Sequence, residues 1–202
     1  MALPARDAIT GLVLAGGMGR RMGGVDKGLV PFDGRPMVQH VLERLTPQVG
    51  TVIINANQNV ERYAAFGHPV CRDAIDGFAG PLAGLHAGLA LATTPCVVTV
   101  PCDSPFLPLD LVARLAKGMA AHDAQIAVAK TMTQPHPVFA LVQRSVLPHL
   151  MQFLDAGGRK IDAWYATLAV VEVAFDDEAE AFRNINTAAE LAAATPPQPR
   201  AT

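Results

Sequence analysis

The residues best equipped for chemistry lie early in the chain, where positions 14–28 read LAGGMGRRMGGVDKG. Glycines let backbone N–H groups approach a polyphosphate closely, and Arg20, Arg21 and Lys27 supply charge to offset it. Glycine richness alone reads equally well as a flexible surface loop. Three basic residues inside it, directly behind an apolar strand, favour phosphate binding. The stretch is not a P-loop, because Lys27 is followed by Gly28 rather than Ser or Thr. It is not the GxGxxG dinucleotide fingerprint either, since Met22 stands where the third glycine belongs.

Three further polar residues stand just beyond apolar runs: Asn55, Asp73 and Asp103. Each is acceptable turn chemistry by itself, Asp103 above all, within Asp-Ser-Pro. Their common position is the informative feature. In open α/β sheets ligands bind outside the carboxyl ends of the strands, so four ends carrying Gly16 and Gly17, Asn55, Asp73 and Asp103 define a candidate site.

The elements that must hold them follow an alternation of strand-length apolar runs with stretches of helical period, the pattern of an α/β domain with a parallel sheet covered on both faces. Strands are expected at 9–14, 51–54, 70–72 and 96–100. Met37, Val38, Val41, Leu42 and Leu45 keep helical spacing behind Pro36, which suits a first helical turn. Residues 82–92 read as a buried helix. The second half predicts helices near 109–121 and 146–154 and strands near 126–129, 138–142 and 170–174. Thr187 followed by Glu190 is a capping box opening a last helix over 187–194, and the proline-rich 195–202 reads as a loose tail. A single domain over 1–194 is expected.

Composition excludes several classes. With 16 Lys plus Arg against 18 Asp plus Glu, and no long run of either sign, neither nucleic acid nor a membrane surface is an expected partner. Pro81, Pro95 and Pro101 interrupt the uncharged stretch between Asp76 and Asp103, so no membrane span fits there. Arg6 and Asp7 leave no room for a signal-peptide core, and the three cysteines lack CxxC spacing; reduced thiols in the cytoplasm are expected. Neither GxSxG nor HExxH is present, against hydrolase and zinc-protease chemistry.

LAGGxxxRMGxxK resembles the signature loop of nucleotidyltransferases with a Rossmann-like, three-layer fold and a mostly parallel central sheet, and most of all that of the molybdenum cofactor guanylyltransferases, the MobA family. The resemblance extends through VIINAN at 52–57, GPLAG at 80–84, VPCDSPFLP from residue 100 to 108, HP at 136–137 and NIN at 184–186. It implies that Leu14, Ala15, Gly16, Gly17, Lys27, Asn55, Asp73 and Asp103 bind GTP, that Asp103 also ligates Mg²⁺, and that Lys27, Asp103 and Arg20 carry catalysis. Whether Asp73 reads the guanine edge or the ribose stays open. For the acceptor it implies Asn184 and Asn186, with Gly84 and with Arg159 or Lys160 near a phosphate. The implied reaction moves GMP from GTP to the terminal phosphate of molybdopterin carrying molybdenum, with handover to molybdenum-insertion proteins and apo-molybdoenzymes. A molybdopterin cytidylyltransferase or a sugar-phosphate nucleotidyltransferase is the nearest alternative, although LAGG rather than LAAG favours guanine; a non-enzymatic nucleotide-binding module is the alternative from another class.

Overall fold

The apolar runs become strands because buried strands covered on both faces can be apolar at every position. In the computed structural model, which describes residues 2–15, 26–75, 80–183 and 185, these strands are β1 (Ile9–Leu14), β4 (Thr51–Asn55), β5 (Val70–Cys71), β6 (Cys96–Pro101), β7 (Ile126–Thr131), β8 (Gln134–Gln143) and β9 (Val170–Ala174). A small hairpin, β2 (Pro31–Phe32) with β3 (Arg35–Pro36), stands apart. Among the described residues the main sheet has seven strands in the order β5-β4-β1-β6-β8-β7-β9. All run parallel except β8, which is antiparallel to both of its neighbours.

Alternation along the strands sorts side chains to two faces. Ile9, Val13, Val52, Ile54, Val98 and Val100 lie beneath α1 (Met37–Leu45) and α4 (Leu111–Ala121). Leu12, Ile53 and Val97 lie beneath α3 (Pro81–Leu91), α5 (Leu147–Asp155) and the short α6 (Ile161–Tyr165). Another short helix, α2 (Val60–Ala64), links β4 to β5. Three layers result, as an α/β sheet with helices on both faces requires. No described helix is long and apolar enough to cross a membrane.

Several boundaries differ from the sequence reading by one or two residues and one by four, and two of them have a plain cause. The helix expected from 109 begins at Leu111, because Asp110 takes the N-cap position and Leu109 is exposed. The strand expected at 138–142 starts at Gln134, through Pro135 and Pro137. Those prolines are tolerated because β6 pairs with β8 only from Thr99 opposite Ala140 onward, which leaves residues 134–139 with β7 alone. The expected helix at 187–194 and the tail lie outside the described residues.

Topology creates the crevice. From β1 the chain crosses by α1 to β4 on one side, and from β5 it crosses by α3 to β6 on the other. The strand order therefore reverses between β1 and β6, the place where open α/β sheets bind ligands beyond the strand ends.

Candidate functional site

Register brings the strand ends into line: Leu14 is paired with Asn55 and with Pro101, and Asn55 with Cys71. Backbone bonds continue the ladder past the strands, from Ala15 N–H to the Asn55 carbonyl at 2.8 Å and from Cys102 N–H to the Leu14 carbonyl at 3.1 Å. Residues following β1, β4, β5 and β6 thus share one edge of the sheet.

Lys27 and Asp103 meet across the switch point. Lys27 opens a 3-10 turn, Lys27–Leu29, where the loop after β1 rejoins the fold, and Asp103 follows Cys102 beyond β6. The Lys27 Nζ lies 3.2 Å from Asp103 Oδ2, with the two side chains 23% and 11% exposed. A carboxylate so shielded is costly to bury without a cation or hydrogen bonds beside it. Cys102 is buried beneath them; burial, then the nearby charges of Asp103 and Asp26, push its thiol far above the ordinary range, so it stays protonated and inert.

A second group lies on the same edge. Asn55, almost wholly buried, donates through Nδ2 to Asp73 Oδ1 at 2.9 Å, while Asn57 Nδ2 donates to Asp73 Oδ2 at 2.8 Å. The Asp73 backbone N–H returns a bond of 2.9 Å to Asn57 Oδ1. Asp73 is thereby held with both oxygens oriented. Asn57 was not among the residues singled out from sequence, though its alternation with Asn55 in VIINAN carried the signal.

Gly84 sits where α3 runs against this group. A Cβ there would stand 2.4 Å from Asn55 Oδ1 and 2.7 Å from Leu14 Cδ2. The structure therefore places Gly84 beside Asn55 and Leu14, where it keeps the helix close to the strand ends. Alanine is the better helix former, yet its methyl would displace Asn55, which is almost wholly buried. With Asn55 holding GTP, as the resemblance implies, Gly84→Ala is expected to weaken that binding about tenfold, because misplaced groups lose alignment steeply. Its melting temperature should fall only a few degrees. Unchanged affinity in a nucleotide titration would remove Asn55 from the site.

The remaining candidates divide. Gly16, Gly17 and Arg20 of the loop, and Asn184 and Asn186, lie outside the described residues. Between the latter two, Ile185 donates its N–H to the Asp103 carbonyl at 3.1 Å and packs with Phe32, Met37 and Phe106, so Ile185 itself is tied directly to Asp103. Arg159 donates to the carbonyls of Leu154 and Gly158 behind α5, local bonds that finish a helix end. Lys160, exposed, precedes α6 as its N-cap residue. His136 shares a bond of 2.7 Å between its Nε2 and Thr131 Oγ1 and stacks on Phe182 at 4.7 Å. Burial lowers its pKa, which keeps the ring neutral near pH 7. Tyr63, Asn59 and Asp26 form a further polar group that sequence reasoning missed.

A shielded carboxylate and a lysine at the switch point of a mostly parallel sheet, in a chain whose sequence after β1 is rich in glycine and arginine, make a nucleotidyltransferase layout. Residues 11–170 match the sequence model of the MobA-like NTP transferase domain. The chain is 55% identical over 194 residues to a molybdenum cofactor guanylyltransferase of Cupriavidus taiwanensis, covering 94% of this chain and 97% of that protein. It is 54% identical over 198 residues to one of Ralstonia nicotianae, covering 94% and 96%. Among solved structures it resembles molybdopterin-guanine dinucleotide biosynthesis protein A of Archaeoglobus fulgidus, with a TM-score of 0.76 and 27% identity over 91% of this chain and 95% of that one. The class is that of nucleotidyltransferases. This chain belongs to the MobA-like NTP transferase family and, within it, to the molybdenum cofactor guanylyltransferases.

Proposed function

We propose that this protein transfers GMP from GTP to the terminal phosphate of molybdenum-bound molybdopterin, giving a molybdopterin guanine dinucleotide cofactor and pyrophosphate. The observation that carries this reading is the Lys27–Asp103 pair, 3.2 Å apart at the switch point and on the same edge as Asn55 and Asp73. The names of its relatives supply the substrates.

In this reading the backbone of Leu14, Ala15, Gly16 and Gly17 follows the nucleotide. Lys27 and Arg20 meet its phosphates, and Asn55 and Asp73 hold the nucleoside. The second half of the chain takes the acceptor through Asn184, Asn186 and Arg159. Mg²⁺ fits at Asp103, which offers a hard oxygen donor at the crevice; this ion usually takes one or two carboxylates and completes its shell with phosphate and water. When bound it would offset the charge developing on the phosphates.

An acceptor phosphate oxygen forms a bond to the α-phosphorus of GTP as the bond to the pyrophosphate oxygen breaks, and the leaving group departs with that electron pair. A phosphate monoester has a second pKa of about 6, so the nucleophile is already largely ionised near neutral pH. The chain therefore needs no general base, and its task is to align the two substrates and neutralise charge. Cytoplasmic residence and handover of the product to molybdenum-insertion proteins and apo-molybdoenzymes belong to the same proposal.

The test is thermal stabilisation by GTP, ATP, CTP and UTP with and without Mg²⁺. A ligand at 100 times its Kd adds about 2.7 kcal/mol to the native state. In a chain of this size that is a rise of roughly 5–10 °C. A shift selective for GTP with Mg²⁺ is expected; a preference for CTP would make the protein a cytidylyltransferase, and no shift with any nucleotide would defeat the proposal.

A further inference from the structure

We propose that Tyr63 and Asn59 are positioning residues that fix Lys27 for nucleotide binding by anchoring the carboxylate of its neighbour, Asp26. The inference rests on the reading of Lys27 as a phosphate ligand and deepens it. Both oxygens of Asp26 are engaged from one region: the Tyr63 hydroxyl donates to Oδ1 at 2.5 Å and Asn59 Nδ2 donates to Oδ2 at 3.0 Å. These are charge-assisted bonds, the stronger kind.

The placement of each donor commits it to Asp26. Tyr63 is fully buried, and a phenol in a core requires a partner for its hydroxyl. Burial, with Cys102 and Asp26 nearby, holds that hydroxyl far above its usual pKa, so it remains a donor throughout the working pH range. Asn59 adopts φ 49° and ψ 33°, the left-handed region, directly before α2. From there its side chain makes no capping bond to the helix and reaches Asp26 instead. A cap is normally worth having, particularly for a helix of five residues.

The other side of Lys27 is fixed as closely. A Cβ on Gly28 would lie 2.5 Å from the Tyr63 hydroxyl oxygen and 3.2 Å from Cys102 Cβ, so the backbone after Lys27 passes between Tyr63 and the residue next to Asp103. The turn is closed by Leu29 N–H to the Asp26 carbonyl at 3.0 Å and Val30 N–H to the Lys27 carbonyl at 3.1 Å. Lys27 is thus bracketed by an anchored carboxylate and a wedged glycine, and its ammonium extends to Asp103. The two donors also offset the charge of Asp26, a second carboxylate next to Lys27 in the chain.

The test is a double-mutant cycle on GTP affinity with Mg²⁺, read from melting temperature against nucleotide concentration, which registers millimolar binding. Tyr63→Phe removes one oxygen and keeps the ring in the core. It is expected to weaken GTP about tenfold when Lys27 is present and less than about twofold in the Lys27→Ala background, because coupled residues are not additive. Asn59→Ala should show the same pattern at about threefold. Equal weakening in both backgrounds, or none with Lys27 present, overturns the inference. Failure of the unsubstituted protein to bind GTP is a different result: it defeats the nucleotide reading itself, and this inference with it.

Discussion

Asp103→Asn is expected to lower turnover by roughly a thousandfold or more, a loss of about 4 kcal/mol of transition-state stabilisation. Asparagine has the same shape and keeps an oxygen that can accept from the Lys27 ammonium, now 3.2 Å away. The backbone carbonyl of residue 103 still accepts from Ile185, and the surrounding core is untouched. What disappears is the negative charge, and with it the donor proposed for Mg²⁺. The variant should therefore melt within a few degrees of the unsubstituted protein, while its stabilisation by GTP no longer depends on Mg²⁺. Pyrophosphate release and the paired melting curves decide it: turnover within tenfold of the parent, or a preserved Mg²⁺ effect, would displace Asp103 from the metal site.

Asp103, Asn55 and Asp73 were legible in the sequence for the same reason that β1 and β6 were. Mostly apolar runs of strand length, such as 9–14 and 96–100, suit central strands of a covered sheet, and whatever polar residue follows such a strand arrives at its carboxyl end. The reading needed no side-chain contact. It failed where structure is set by few residues or by distant ones. The β2–β3 hairpin has two residues per strand, too few for alternation to register, although its Asp33-Gly34 turn, with φ of 47° and 75°, carried the Asp-Gly signal. The five-residue helices α2 and α6 complete too little of a helical period to be recognised. The bond from Tyr63 to Asp26 spans 37 residues and depends on how α2 lies against the loop stem, which no local pattern encodes. Gly84 illustrates the middle case: GPLAG was conspicuous as a motif, but only the packed helix shows that the glycine makes room for Asn55.

Lys27→Ala is the second large loss, and it should differ from Asp103→Asn in kind. The ammonium is a compact charge suited to a phosphate. Its removal is expected to weaken GTP binding about tenfold and to reduce turnover by a further factor of about a hundred, since charge neutralisation is worth more as the pyrophosphate leaves than in the ground state. Without nucleotide the variant should also be less stable by about 1–3 kcal/mol, because Asp103, its side chain 11% exposed, loses its hydrogen-bonded cation. Mg²⁺ dependence should survive in Lys27→Ala and vanish in Asp103→Asn. Lys27→Arg keeps the charge but spreads it over a planar fork, and on a turn wedged between Tyr63 and Cys102 it should recover binding more fully than turnover. Full activity in Lys27→Arg would mean that net charge alone suffices at this position, whereas a binding-only rescue is the signature of an ammonium that must reach one place as the α-phosphorus changes partners.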